Sequence, residues 1–171
     1  MVVLRLFTEA ELAYFDALPG EAEDPFNFFG FKGAAGSGIR ARWAEHGLVQ
    51  GERGTLAVDL DGAVIGDVEW HTVPYGPPPM SNACNIGIRL LPEHRGRGHG
   101  TEAQAALVRY LFATYPINRV EAGTDIANLA EQRALENVGF VREGTLRGAQ
   151  WRSGKWNDLL LYSRLRSDSH P

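Results

Sequence analysis

The chain has 171 residues, of which 44% are hydrophobic and 22% are charged, and its formal net charge is −4. This length and composition predict a single globular domain over residues 1–171. The negative charge argues against a nucleic-acid-binding surface, and no stretch reaches the ~20 apolar residues of a membrane span. The single cysteine, Cys84, excludes an internal disulfide and predicts a reducing, cytoplasmic location.

The N-terminal part is predicted to contain a short strand and two helices. The strand covers Val2–Phe7 and is followed by a helix over Thr8–Leu18, where Glu11 completes a capping box. A second helix is expected over Ile39–His46. The Gly-rich segment 21–38 between them carries four phenylalanines, so it either covers the core edge or lines a substrate pocket.

Two strands joined by a tight turn follow. Thr55–Leu60 and Ala63–Val73 flank Asp61-Gly62, which is a strong signal for a two-residue hairpin. The regular alternation of a strand places alternate side chains on one face. This predicts a shared face for Ile65, Asp67, Glu69 and His71.

A glycine-rich loop separates the next strand, Asn85–Leu91, from a helix over Thr101–Thr114. Glycines between a strand and a helix let backbone N–H groups approach a ligand, and the positive end of the helix dipole attracts anions. We therefore predict that the loop binds the pyrophosphate of a nucleotide-containing cofactor. Its residues are Arg95, Gly96, Arg97, Gly98, His99, Gly100 and Thr101.

The C-terminal part is predicted to contain a strand, a helix and a hairpin. Arg119–Ile126 is the strand, and Asn128 caps a helix with Glu131 at the capping-box position. The hairpin covers 140–165, and the tail 166–171 is expected to be disordered. The predicted fold class is therefore mixed α/β, with a central, mostly antiparallel sheet flanked by helices.

The loop fits two cofactor patterns. Gly98-x-Gly100-x-x-Ala103 matches the dinucleotide fingerprint, which normally opens βαβ units. The elements before the loop are predicted to be antiparallel hairpins, which favours the alternative spacing Arg95-x-x-Gly98-x-Gly100. That spacing, after a hydrophobic strand with a proline, resembles the signature of the GNAT superfamily of acyl-CoA-dependent N-acyltransferases.

A second stretch strengthens this resemblance. Residues 128–140, NLAEQRALENVGF, are similar to a motif of the GNAT branch that includes ribosomal-protein N-terminal acetyltransferases. The resemblance implies that Asn128 contacts the pantetheine arm or an ordered water, and that Arg133 lies near acetyl-CoA. It also implies that backbone N–H groups around Ile88, Arg89 and Leu90 bind the thioester oxygen.

Acetyl transfer to an amine requires a base, and carboxylates and histidines near the ends of central strands are the candidates. We predict Glu69 first, with His71 and Asp125 as alternatives. The family's proton-donating Ser is replaced by Glu131, so water or Tyr162 is expected to protonate the departing thiolate. No metal-ligand spacing and no nucleophile motif are present, which predicts no metal site and direct attack within a ternary complex.

The predicted function is transfer of the acetyl group of acetyl-CoA to a primary amine. The acceptor is expected to be a protein N-terminus or a small amine, such as an amino sugar, an amino acid or an antibiotic. A non-catalytic acyl-CoA-binding or sensing domain is one alternative, and an NAD-binding module is another. The oligomeric state is expected to be a monomer or a homodimer.

Overall fold

The computed structural model of the protein describes residues 1–18, 24, 26–28, 39–77 and 79–168. Most of the Gly-rich segment therefore lies outside the described residues. The strands are β1 (Val2–Arg5), β2 (Val49–Gln50), β3 (Arg53–Leu60), β4 (Ala63–Pro74), β5 (Asn82–Leu90), β6 (Arg119–Asp125), β7 (Val141–Arg152) and β8 (Lys155–Leu165). The helices are α1 (Ala13–Ala17), α2 (Ile39–His46), α3 (His99–Thr114) and α4 (Leu129–Asn137), with short 3₁₀ turns at Glu9–Leu12, Pro79–Ser81 and Pro92–His94.

The strands form one mixed sheet in the order β1-β3-β4-β5-β6-β8-β7, with β2 paired to β3 beside this path. Every pairing is antiparallel except that between β5 and β6. The predicted mixed fold with a mostly antiparallel sheet is confirmed. Asp61 and Gly62 both have positive φ angles, as a tight hairpin turn requires.

Two apolar clusters cover opposite faces of the sheet, because Leu56 and Val58 belong to one cluster and Ala57 to the other. One cluster joins the sheet to α3 and α4, and its helical members are Ala103, Leu107, Val108, Leu111, Leu135 and Val138. The second joins the sheet to the N-terminal helices through Phe7, Leu12, Phe15, Leu18 and Ile39. The sheet is therefore buried on both sides over its central strands.

A bulge in β4 changes the predicted faces of this strand. Val58 pairs with Gly66 and Asp59 pairs with Val64, so Ile65 has no partner opposite it. An extra residue reverses the alternation on one side of the bulge. Ile65 consequently packs in the cluster under α3, and its predicted face was wrong.

Two boundaries also differ from prediction. Helix α3 begins at His99 rather than Thr101, because Gly98 adopts the left-handed conformation immediately before it. Arg166 is anchored by hydrogen bonds to the carbonyl oxygens of Ile117 (2.9 Å) and Tyr115 (2.8 Å). The predicted disorder of the tail is therefore wrong at Arg166, while 169–171 lie outside the described residues. No helix within the described ranges is long and apolar enough to cross a membrane.

The close approach of β3 to a buried ring gives a stability prediction. A Cβ atom on Gly54 would lie 2.1 Å from Cη2 of Trp70, whose side chain is only 2% exposed. We expect Gly54→Ala to lower the free energy of unfolding by about 1–3 kcal/mol, measured by urea denaturation. Gly51→Ala is the control, because a Cβ there meets no heavy atom within 4 Å; equal losses in both variants would contradict this account.

Candidate active site

The central feature is a gap within the sheet between β5 and β6. These parallel strands pair only at Cys84 with Val120 and at Asn85 with Glu121. β5 nevertheless stays paired with β4 as far as Leu90, and β6 stays paired with β8 as far as its end. The two strands therefore separate after their first residues, and the facing main-chain groups of β5 need other partners.

The hydrogen bonds around β5 show which of its main-chain groups face this gap. The N–H of Leu91 donates to the carbonyl oxygen of Ile65 in β4 at 2.9 Å. Because main-chain groups of successive strand residues point to opposite sides, the N–H groups of Ile88 and Leu90 face the gap. The main chain of Arg89 faces β4 instead, and its side chain binds Asp67 at 3.0 Å.

The glycine loop after β5 has the geometry of an anion site. Gly96 and Gly98 have φ angles of +70° and +85°, a region that favours glycine. The first hydrogen bond of α3 joins the N–H of Glu102 to the carbonyl oxygen of Gly98. The main-chain N–H groups of His99, Gly100 and Thr101 therefore have no partner within the helix.

The side chains of this loop have different roles. Arg97 is exposed, and Nδ1 of His94 and of His99 are buried without a hydrogen-bond partner in the described part of the chain. Arg95, in contrast, is committed to the protein. Its Nε donates to the carbonyl oxygen of Leu90 at 3.0 Å, and its two terminal nitrogens donate to Asp24 at 2.9 and 2.6 Å. Arg95 therefore holds the loop in place, and its guanidinium already has a counter-ion.

The described part of the Gly-rich segment is fixed at both ends. Asp24 is bound by Arg95, while the carbonyl oxygen of Phe28 accepts from Gln150 and Arg152 at 3.0 and 3.2 Å. The guanidinium of Arg152 also lies 5.0 Å from the centre of the Phe28 ring. This segment consequently connects the glycine loop to β7, and its two interpretations, a cover over the core edge and a pocket wall, both stay predictions.

Glu69 lies next to the gap on the face covered by the N-terminal helices. Its Cγ and Oε1 atoms are both 3.2 Å from the place where a Cβ on Gly87 of β5 would stand. Burial, and next the negative charge of Asp67, raise the pKa of Glu69. No salt bridge reaches Glu69 from the described residues. Its carboxylate is thus a stronger base than usual.

A cavity of about 500 Å³ lies beside Glu69, between α2 and strands β3 and β4. The exposed side chain of His71 lines the same cavity. Charged residues of both signs surround it: Arg42, Glu45, Glu52 and Arg53. The cavity is polar and connects to the carboxylate, which makes it suitable for an amine.

The carboxylate of Asp125, the remaining candidate base, already has two hydrogen-bond partners within the protein. Its carboxylate accepts from Arg152 at 2.5 Å and from the N–H of Ala127 at 2.7 Å. Only 4% of Asp125 is exposed. This ion pair with Arg152 of β7 indicates that Asp125 anchors the β7–β8 hairpin.

Asn128 and Arg133 lie at the start of α4, on the β6 side of the gap. The Oδ1 atom of Asn128 accepts from the N–H of Glu131 at 3.2 Å, which caps the helix. Arg133 is exposed in the following turn. The cap accounts for Asn128 without a ligand, so its role toward acetyl-CoA stays a prediction.

The side chain of Glu131 does not complete the predicted capping box. The N–H of Asn128 donates to the carbonyl oxygen of Asp125, and the Glu131 carboxyl turns toward α3. There both of its oxygens accept from Nε2 of Gln104 at 3.0 Å. Burial raises the pKa of Glu131 to about 7, although the hydrogen bond from Gln104 opposes this. The sequence did not predict this contact, because the capping-box pattern pairs the Glu131 side chain with the N–H of Asn128.

Two other titratable groups are removed from the gap's chemistry. Tyr162 is 1% exposed, its hydroxyl donates to Glu136 at 3.2 Å, and burial raises its pKa. Cys84 is 2% exposed, and burial raises the pKa of its thiol to about 11. Tyr162 is therefore a poor proton donor, and Cys84 is a poor nucleophile.

Comparison with known proteins fits this arrangement. A family model described as an acetyltransferase (GNAT) domain matches residues 2–141. The chain belongs to the GNAT acetyltransferase family. The family resemblance that the glycine loop and the 128–140 motif predicted is thereby confirmed.

Relatives of this GNAT protein include two from Bacillus subtilis (strain 168). A probable N-acetyltransferase, YjcK, is 37% identical over 108 residues, which are 63% of this chain and 58% of that protein. A putative ribosomal N-acetyltransferase, YdaF, is 28% identical over 108 residues, which are 63% of this chain and 57% of that protein. The match therefore spans less than two thirds of either relative.

A solved structure shows the same fold over nearly the whole chain. It is the spermidine N-acetyltransferase from Vibrio cholerae in complex with CoA and spermine, with a TM-score of 0.81. The match covers 98% of this chain and 96% of that one at 20% sequence identity. The GNAT fold thus extends beyond the residues matched by the family model.

The environment of Glu131 gives a pH-dependent stability prediction. A carboxyl whose pKa is raised by folding stabilises the protein below its unfolded value, near 4.5, and this contribution is lost as the pH rises through about 7. We expect Glu131→Gln, which keeps the acceptor for Gln104, to be more stable than wild type by roughly 1–3 kcal/mol at high pH. The difference should shrink under acidic conditions.

Thermal unfolding at pH 5 and pH 8.5, which lie below and above the pKa of about 7 for Glu131, measures this difference. The exposed Glu93 provides the control, since Glu93→Gln should change stability equally at both pH values. A Glu131→Gln effect that is the same at both pH values would contradict the raised pKa.

Proposed function

We propose that this GNAT protein transfers the acetyl group of acetyl-CoA to a primary amine by direct attack in a ternary complex. One observation supports the proposal: around the gap between β5 and β6 lie a glycine loop with the geometry of an anion site, main-chain N–H groups that face the gap, and the half-buried carboxylate of Glu69. Acetyl-CoA is the acetyl donor of this family, and supplies a thioester to the gap. The exposed Arg97 and the N–H groups at the start of α3 fit its phosphates in charge.

The glycine loop would hold the pyrophosphate of acetyl-CoA. The N–H groups at the start of α3 and the helix dipole favour negative charge there. The exposed side chain of Arg97 is available to a phosphate oxygen. A side chain at Gly96 or Gly98 would stand in the open space over the loop. Arg95 acts indirectly, by fixing the loop to Leu90 and Asp24.

The main-chain N–H groups of Ile88 and Leu90 would bind the thioester oxygen. Negative charge develops on this oxygen when the amine attacks, so donors that are already aligned lower the barrier. We propose that Asn128 and Arg133 contact acetyl-CoA from the α4 side of the gap. The main chain of Arg89 takes no part, because it faces β4.

Glu69 would take the proton from the attacking ammonium group. An amine must be neutral to attack, and a base works best when its pKa lies near the working pH. Burial moves the pKa of Glu69 in that direction. His71, on the same strand and beside the same cavity, is the second candidate. The buried thiol of Cys84 supports a mechanism without an acyl-enzyme.

The acceptor would enter through the polar cavity beside Glu69. The proposal includes a protein N-terminus or a small amine, and the names of the relatives, ribosomal in one and spermidine in another, are compatible with both. We also propose a cytoplasmic location, where acetyl-CoA and amines meet. The monomeric or homodimeric state stays a prediction.

Calorimetry with acetyl-CoA tests the binding half of the proposal. Gly98 and Gly62 have φ angles of +85° and +88°, and a Cβ on either meets nothing within 4 Å. An alanine at each should therefore cost similar stability, about 1–2 kcal/mol. Only Gly98→Ala should weaken acetyl-CoA binding, by at least roughly tenfold.

NADH is the competing ligand in this experiment. Saturable binding of acetyl-CoA by the wild type, with none of NADH, is expected. Binding of NADH alone, or equal losses of acetyl-CoA affinity in Gly98→Ala and Gly62→Ala, would contradict the assignment of the loop.

Turnover of Glu69→Gln tests the catalytic half. After an amine screen that follows release of the CoA thiol, kcat of this variant should fall by about 10²–10⁴-fold. Its affinity for acetyl-CoA should be unchanged, because the side chain lies on the other face of the sheet from α3. Glu52→Gln removes another carboxylate that lines the cavity; it is the control and should alter KM for the amine at most. A wild type that binds acetyl-CoA but acetylates no amine would indicate a sensing domain.

A further inference from the structure

The proposed reaction leaves one proton without a donor. When the amine attacks, the C–S bond breaks and the CoA sulfur departs as a thiolate, which must gain a proton to be released as the thiol. Tyr162 is bound to Glu136 and deeply buried, so it is not a suitable source. Asp125 is held by Arg152, and Glu69 lies on the opposite face of the sheet.

Glu131 lies beside the gap, on the face of the sheet that α3 and α4 cover. Helix α3 follows β5 and α4 follows β6, and both helices pack on the same face of the sheet. Their N-terminal ends therefore stand on either side of the gap. The hydrogen bonds from Gln104 to Glu131 join the two helices there.

The contacts of α3 place this pair near β5. A Cβ on Gly100 would lie 3.6 Å from Leu90 and 3.9 Å from Ile88, so this face of the helix covers the gap-facing part of β5. Gln104 follows Gly100 by one helical turn and lies on the same face. The carboxyl of Glu131 is therefore about one turn from the strand residues whose N–H groups face the gap.

The hydrogen bonding around Glu131 suits a neutral carboxyl. Gln104 is 1% exposed, and its Oε1 is a buried acceptor with no partner among the described residues. A protonated carboxyl has an O–H that can be donated, whereas a carboxylate has none. Burial raises the pKa of Glu131 to about 7, so a large share of the acid is protonated at neutral pH and can release its proton.

No salt bridge reaches Glu131 from the described residues. The other titratable residues of the two helices are His99, Glu102, Arg109 and Tyr110 of α3 and Arg133 and Glu136 of α4. Glu102 accepts from the N–H of Val2, and Glu136 accepts from Tyr162. The shift in the pKa of Glu131 has burial and the hydrogen bond from Gln104 as its only causes.

We infer that Glu131 is the acid that protonates the departing CoA thiolate. The inference rests on the proposed acetyl transfer. The ammonium group first loses one proton through Glu69 to water. The neutral nitrogen then forms a bond to the acetyl carbon, its second proton passes to Glu69, and the electrons of the C–S bond leave on sulfur. Glu131 gives its proton to that sulfur and becomes a carboxylate. Exchange with water then returns a proton to Glu131 and removes one from Glu69, so that the products are the amide and the CoA thiol.

The test is the pH dependence of the single-turnover rate of acetyl transfer in wild type and Glu131→Gln. The wild-type rate should fall as the pH rises above about 7, because the protonated acid is lost. The variant should be slower by roughly 10²-fold at neutral pH, at the low end for acid catalysis, and should lack this alkaline fall. Its affinity for acetyl-CoA, measured by calorimetry, should stay within about twofold of wild type.

Glu136→Gln is the matched control, since it removes an exposed carboxyl from the same helix and should keep the wild-type profile. A Glu131→Gln variant with the wild-type rate and the same alkaline fall would overturn the inference while leaving acetyl transfer intact. Absence of turnover in the wild type would instead overturn the proposed function. If Glu131→Gln does not fold, Glu131→Asp is used instead, because it retains a carboxyl. The rate of this variant should still fall at alkaline pH, but the midpoint of the fall should be shifted from that of wild type. An unshifted midpoint would contradict the role of Glu131.

Discussion

The short pairing of β5 with β6 is the constraint on which the rest of the site depends. A parallel pair that continued along both strands would satisfy the main-chain groups of Ile88 and Leu90 within the sheet. Because the ladder stops after Asn85 and Glu121, the N–H groups of Ile88 and Leu90 point into the gap, where they are available to a ligand or to solvent. The flanking strands hold the two edges apart, since β5 is fixed by β4 and β6 by β8. The donors are thus aligned before any ligand arrives.

The electrostatics of the site follow from which charges have partners. Arg89 neutralises Asp67, Arg95 neutralises Asp24, and Arg152 neutralises Asp125. Glu69 and Glu131 have no such counter-ion in the described part of the chain. They lie on opposite faces of the sheet, and burial raises the pKa of both. Two carboxyls with raised pKa values, one on each face of the sheet beside the gap, suit a reaction in which one proton is taken up and another is released.

Local patterns predicted much of this structure, whereas long-range contacts escaped them. The hairpin at Asp61-Gly62, the cap at Asn128 and the glycine loop are encoded by neighbouring residues, so the sequence revealed them. The bulge at Ile65 was missed because regular alternation does not show where a residue is inserted. The partner of Glu131 was missed because Gln104 is distant in sequence, and the capping-box pattern offered a nearer one. The Asp24–Arg95 pair was not predicted either, because these two residues are also distant in sequence.

That last pair has a thermodynamic consequence. Arg95 binds the end of β5 and the N-terminal segment at once, so a single guanidinium is shared between the donor side and the acceptor side of the protein. A ligand that displaces Asp24 changes the support of the glycine loop. Reciprocity of linked equilibria then requires that occupancy of the loop alter the affinity of that ligand by the same factor. Any substitution that changes this coupling therefore changes it by the same factor for both ligands.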